Sequence, residues 1–240
     1  MAATLPAGLL LLADSRLPAG GHAHSGGLEP AVTAGAVRDV TGLADFLAGR
    51  LATSGLVSAA LAAAACAHAA AAAPERGWEW ERLDAEADAR TPSPAQRSAS
   101  RAQGRSLLRA VRAAWPHPAL DALAVLREPH QALVQGAAVA AAGGTPEQAA
   151  AVSAYGAVTG PASAGVRLLG LDPLEVHRVL AALAPAVDAV AAEAAGVATP
   201  EAGRTTDRAD AWAALPAASA PLLDLYAELH LGAEPRLFES

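Results

Sequence analysis

The stretch Leu17 to Glu29, LPAGGHAHSGGLE, concentrates side chains that could do chemistry. His22 and His24 stand one residue apart, Ser25 follows directly, and Gly20, Gly21, Gly26 and Gly27 box them in. Three readings compete: a metal site, a nucleophile on a turn, or a shaped surface for a partner.

The nucleophile reading starts from Ala23-His24-Ser25-Gly26-Gly27, which comes within one residue of the G-x-S-x-G elbow. That elbow works because a parallel sheet holds the serine on a strained strand-to-helix turn. The sequence that follows supplies helix signals instead, which argues against a hydrolase. The metal reading starts from imidazole, which suits nickel, zinc and copper. H-x-H spacing alone is a weak signal, and the nearest acids are Asp14 and Glu29. A closed site would need remote ligands such as His68 or His230. The favoured reading is that His22 and His24 shape a glycine-rich loop, with a transient metal contact left open. A P-loop nucleotide site is excluded, because the chain has no lysine.

A second group is the arginine series Arg97, Arg101, Arg105, Arg109 and Arg112. Spacings of three and four put them on one helix face. Solvation and docking to an acidic surface both fit such a ridge. Gly104, inside the same helix, costs about 1 kcal/mol relative to alanine, and close helix approach is a reason to keep it. Cys66 and His68 sit on an alanine-rich helix, where they are expected in the core and at the surface respectively.

Composition limits the rest. The net charge of −7 argues against a general nucleic-acid binder. All 17 basic residues are arginine, and lysine, isoleucine and asparagine are absent, a codon bias that marks a GC-rich genome. One cysteine excludes an intramolecular disulfide and fits a reducing compartment. The apolar run Leu9–Leu12 has no basic residue before it and no small-residue cleavage site, which argues against a secretory signal. The uncharged run from Leu56 to Ala73 is mostly alanine, so it reads as a closely packed helix rather than a membrane span.

The elements that must position these groups are helices. Ser93-Pro94-Ala95-Gln96, Thr145-Pro146-Glu147-Gln148 and Asp172-Pro173-Leu174-Glu175 each spell a cap, a proline at the first helical position and a polar residue in the first turn. The reading is a loop to Gly27, a short helix from Leu28 to Val37, and a helix from Leu43 to Ala73 interrupted near Ser54-Gly55. Helices follow at Trp78–Ala89, Ala95–Trp115, Leu120–Gly143 (broken near Pro129), Glu147–Gly165, Pro173–Ala195 and Asp207–His230. The fold expected is an all-α, single-domain helical bundle of about eight to ten helices over residues 1–240. Residues 1–27 would be an N-terminal loop region and 231–240 an extended C-terminal tail. That tail, HLGAEPRLFES with Arg236, Leu237 and Phe238, has the composition of a plug for a groove on this chain or on a partner.

Taken in order, these segments resemble the UreF family of urease accessory proteins. The resemblance rests on Pro18, Gly20, Gly21, Ser25, Gly27, Leu28 and Glu29 in the opening stretch. It continues through Arg97, Ser100, Gly104 and Leu107, then His130 and Gly136, then Arg167, and ends on RLFES. The family commonly has aromatics where this chain has His22 and His24, and a later family glutamine aligns with His177. The resemblance implies a non-enzymatic, cytoplasmic scaffold for nickel insertion, acting as a homodimer without nucleic acid, membrane or resident cofactor. It would bind the accessory protein UreD/UreH, recruit the GTPase UreG and serve apo-urease, with nickel in transient contact at most. Gly21, His22, His24, Ser25, Gly27, Leu28 and Glu29 would face UreG. Arg236, Leu237, Phe238 and Ser240 would face UreD/UreH, and Arg97, Arg101 and Arg105 would form a further docking ridge. The alternative is a nickel carrier that binds the metal directly through His22 and His24.

Overall fold

The computed structural model describes residues 6–71, 79–198, 212–233 and 236–239, and the fold among them is all-α, without strands. The leucine run of the N-terminal region is itself a helix, α1 (Ala7–Ala13), and a 3-10 turn, Gly21–Ala23, follows it. The N-terminal region, expected to be a loop to Gly27, thus contains a helix as well. Leu9 and Leu12 are buried on one face of α1, which gives the helix its packing energy. Then come α2 (Leu28–Thr33), α3 (Val40–Arg50), a π turn (Leu51–Gly55), α4 (Leu56–Ala70) and α5 (Trp80–Ala89). The chain continues through α6 (Pro94–Ala114), α7 (Pro118–Leu123), α8 (Gln131–Ala141), α9 (Pro146–Leu169), α10 (Pro173–Ala198) and α11 (Pro221–Leu231).

The caps behave as their chemistry dictates. Ser93 Oγ accepts the Gln96 amide at 3.1 Å, and Thr145 and Gln148 form a reciprocal capping box. Asp172 accepts the Leu174 amide at 2.9 Å. The expected break near Ser54-Gly55 is the π turn, which widens the helix without ending it. The largest boundary shifts are at three helices. α2 stops at Thr33, where Gly35 adopts φ +71°. α9 runs past Gly165 to Leu169, with Pro161 inside it. The expected helix Asp207–His230 is divided, since residues 216–220 are irregular and Pro221 starts α11, while 199–211 lie outside the described residues. Trp78 and the Pro74 stop lie outside them too.

α4 is the central helix, packed against α8, α9 and α10. Its alanines are almost all buried, and they let neighbouring backbones approach closely. At Gly136 of α8 an added Cβ would lie 2.1 Å from the carbonyl oxygen of Ala62, so only glycine fits that crossing. Around this alanine spine the larger payload comes from Leu28, Leu43, Leu47, Leu83, Leu120, Leu123 and Leu133, all fully buried. Each contributes roughly 1.5–3 kcal/mol by removal from water. Val40–Ala70 and Pro173–Ala198 are long and apolar enough to cross a membrane. The first is mostly buried inside the protein, and the second shows much of its small-residue surface to solvent.

Two polar clamps attach the segment from Trp212 through α11. Arg90 donates to the carbonyls of Trp212, Ala213, Leu215 and Pro216, fixing the chain ahead of α11. Glu228 of α11 accepts the Ser93 hydroxyl at 2.5 Å and the Ala95 amide at 2.9 Å, seating α11 on the start of α6. His68 is not at the surface as expected. It is buried edge-on against Trp80 and Trp212, at 4.7 and 5.2 Å between ring centroids, and Nε2 accepts the Glu79 amide at 3.1 Å. Cys66 is buried as expected, and burial pushes its thiol up to about 12, so it is inert at neutral pH.

Candidate partner-binding site

The glycine loop folds back on itself because Gly20, Gly26 and Gly27 take φ of +75°, +64° and +88°, conformations that favour glycine. The loop then enters α2 with Ser25 fully buried and its Oγ accepting the Glu29 amide at 3.1 Å. Ser25 thus holds the start of a helix inside the protein, in a fold with no strand among the described residues to raise it as a nucleophile. Leu28 is core. Gly21 and His22 are exposed, while His24 is buried at 8%. Burial lowers the His24 pKa, the neighbouring Glu239 carboxylate opposes this from 3.6 Å, and His22 adds to the lowering.

Glu29 does not face solvent. Its carboxylate turns toward the far end of the chain, where Oε1 accepts the Leu237 amide at 2.8 Å and Oε2 the Phe238 amide at 2.9 Å. His230, at the end of α11, places Nε2 3.2 Å from the Phe238 carbonyl and 3.5 Å from Glu29 Oε2. Both neighbours are acceptors, so this nitrogen carries the proton. The Glu239 amide donates to the Ala23 carbonyl at 2.7 Å. Arg167 of α9 lies 4.3 Å above the Phe238 ring and donates to the His22 carbonyl at 3.0 Å. Loop and tail, read from sequence as separate features, are one interlocked unit. Phe238 is buried at 5%, and the plugged groove belongs to this chain. Arg236 is exposed and Leu237 is 76% exposed. Ser240 lies outside the described residues.

Beside this unit, α11 exposes Leu222, Leu225 and Leu229, spaced three and four apart on one face. A cavity of about 190 Å³ lies beneath α11, lined by Pro30, Gln96, Leu223 and His230 among others.

The arginine ridge is mostly engaged by acceptors of this chain. Arg97 donates to the carbonyls of Thr91 and Pro92 at 2.7 and 2.9 Å. Arg101 bridges Asp84 and Asp88 at 2.9 and 2.7 Å and also donates to the Glu128 carbonyl. Arg105 pairs with Glu128 at 2.5 Å, and Arg112 with Asp121 at 2.7 Å. Four of the five thus knit α6 to α5, α7 and the turn before α8, although Arg105 and Arg112, like Arg109, remain exposed. Gly104 has its reason as well, because a Cβ there would lie 1.9 Å from the Pro129 carbonyl oxygen.

Metal capacity is limited. Among the described residues only Asp84, Asp88 and His130 gather three ligand atoms, within 4.8 Å of one another. Their lone pairs and protons are already engaged by Arg101, Ser100 and each other. His22 and His24 join no such group. Sequence reasoning missed the Asp84–Asp88–Arg101–His130 network and the role of His230, since neither leaves a local spacing signal.

Comparison with known proteins fits this architecture. The family model described as UreF matches residues 37–184. A urease accessory protein UreF of Mycolicibacterium vanbaalenii is 46% identical over 232 residues, covering 97% of each chain. One from Mycobacterium marinum is 44% identical over 97% of each chain, and one from Mycobacterium tuberculosis 42% over 92%. These relatives are named as accessory proteins rather than enzymes. An all-α fold whose segments follow the family order, matched along nearly its whole length, leads to one conclusion: this chain belongs to the UreF family of urease accessory proteins.

Proposed function

We propose that the chain works in urease maturation as a non-catalytic scaffold for nickel insertion, with nickel as cargo that it does not bind tightly. In this reading α11 and the tail dock onto the accessory protein UreD/UreH. The glycine loop, with exposed Gly21 and His22, helps recruit the GTPase UreG for delivery to apo-urease. The single observation that carries the reading is the Glu29 clamp on Leu237 and Phe238. It couples the two surfaces, so a partner that takes hold of the tail acts directly on the loop. The leucine row of α11 supports it by offering an apolar face beside the clamp. The exposed small residues of α10, among them Ala181, Ala182 and Ala189, suit close packing against a second copy, so we infer a homodimer. The cytoplasm is the compartment this scaffold would share with its partners.

The test is co-purification of the full chain with UreD/UreH and UreG. Removal of residues 236–240 should abolish capture of UreD/UreH, and capture of UreG should fall with it. Normal assembly of the truncated chain would refute the reading. His22→Ala with His24→Ala should weaken UreG capture while helicity is kept. Calorimetric titration with Ni²⁺ should show no site that the double variant loses.

A further inference from the structure

We infer that the recess between the glycine loop, the end of α3 and α9 is an anion-binding site anchored by Arg50, with a carboxylate or an oxyanion of similar size as its ligand. Arg50 is the last residue of α3, immediately before the π turn, a helix irregularity frequent at functional sites. A guanidinium has five N–H donors. Only one of them meets a protein acceptor among the described residues, Nε donating to the Ala157 carbonyl at 3.1 Å. The other well-packed arginines behave differently: Arg90 is saturated by carbonyls and Glu86, and Arg101 by two aspartates. Burial alone acts on Arg50 and brings its pKa down to about 10, with no counter-charge to offset it. Arg50 is half-buried, so an anion that displaces solvent from the recess meets guanidinium donors that the protein leaves unfilled.

The surroundings fit an anion. The recess holds about 940 Å³ and opens to solvent, with Arg50, Arg167, His22 and His24 in its walls. Gln103 and Thr159 add neutral polar groups. The one acid among the described residues lining it is Asp14, whose carboxylate is held by Arg16 at 2.6 Å. In a chain of net charge −7, Arg50 and Arg167 make this a concentration of positive charge. Gly26 leaves room beside the guanidinium, since a Cβ there would lie 3.3 Å from Arg50 Cζ and 2.9 Å from Pro161 Cγ. The free edge of a guanidinium matches a carboxylate through two parallel hydrogen bonds. The ligand is either a free small anion or an acidic side chain of a partner, and the second source rests on the function proposed above.

The experiment titrates the full chain with acetate, and separately with inorganic phosphate, against sodium chloride of equal ionic strength. Wild type, Arg50→Gln and Arg50→Lys are compared by thermal unfolding. A saturable rise in Tm that Arg50→Gln loses and Arg50→Lys weakens assigns the site to a free anion. Should Arg50→Gln fold poorly, the Nε–Hε resonance of Arg50 in the wild type reads the same titration, and it should shift with acetate but not with chloride. The second arm measures capture of UreD/UreH and UreG. Equal anion indifference of all three proteins, with capture by Arg50→Lys at least tenfold weaker than by wild type, assigns the site to a partner carboxylate. No anion response together with equal capture overturns the inference. A wild-type chain that captures neither partner overturns the functional reading instead, and the anion titration alone then decides the site.

Discussion

Glu29 and His230 grip the same tail residue from its two sides: Glu29 accepts the amide of Phe238 at 2.9 Å, and His230 reaches its carbonyl at 3.2 Å. Both side chains are buried and belong to helices at opposite ends of the sequence. The tail is therefore a folded part of the molecule, held by polar contacts that depend on two distant helices staying together.

Replacing Glu29 with alanine leaves the Leu237 and Phe238 amides without acceptors. A buried donor left unmet costs about 1–3 kcal/mol. Because the tail can lift and hydrate those amides, the loss should appear as local release rather than global unfolding. Amide exchange at Leu237 and Phe238 should speed up by roughly tenfold or more, while the core helices keep their protection. Unchanged exchange at both positions would mean that Phe238 packing, not Glu29, holds the tail.

The same junction carries a pH dependence. Burial depresses the His24 pKa below the ordinary value of 6.5, against the pull of Glu239. Between the folded and unfolded values the unfolded chain binds more protons, so stability rises with pH there. The His24 contribution is complete above pH 6.5 and is lost as pH falls from 6.5 through the depressed folded value. His24→Gln should flatten the slope of Tm against pH just below 6.5. A slope identical to wild type would refute this.

Gly104 makes a prediction of opposite sign to helix propensity. At an exposed helical position, Gly→Ala stabilises by about 1 kcal/mol. Here the new methyl meets the Pro129 carbonyl at 1.9 Å, and overpacking of that kind costs about 1–3 kcal/mol or more. Chemical denaturation of Gly104→Ala should therefore show net destabilisation.

Arg101 and Arg109 separate the two fates of the ridge. Arg101→Gln removes charged hydrogen bonds to Asp84 and Asp88 and leaves the two carboxylates facing each other, a loss of about 1.5–3 kcal/mol. Arg109→Gln, at an exposed position, should stay within about 0.5 kcal/mol of wild type. Urea denaturation of both variants checks the contrast.

These residues also show what the sequence could and could not reveal. Caps act within four residues, so Ser93, Thr145 and Asp172 announce their helices locally, and the structure has them. Gly104 was readable as a close-approach glycine because its propensity cost demands a reason. The periodic arginines announced a charged face, but not that α5 and Glu128 would fold over it, since those partners come from separate helices. His68 sits on an alanine helix with no spacing signal for its two tryptophan neighbours. The Glu29–Phe238 clamp joins the two ends of the chain, and only the packing of α2 against α11 brings them within reach.

The leucine row of α11 allows interface and fold to be tested apart. Leu225 and Leu229 are 54% and 62% exposed, so changing them removes little buried surface. Substitutions at such positions usually alter stability by no more than about 0.5 kcal/mol. An arginine at the centre of an apolar interface, by contrast, must be desolvated without a partner when the complex forms. Leu225→Arg with Leu229→Arg should leave Tm and the tail amide protection unchanged while capture of UreD/UreH falls at least a hundredfold. Loss of capture together with loss of tail protection would place the effect in the Glu29 clamp instead. Full capture by the double variant would remove α11 from the proposed interface and leave the tail alone to carry it.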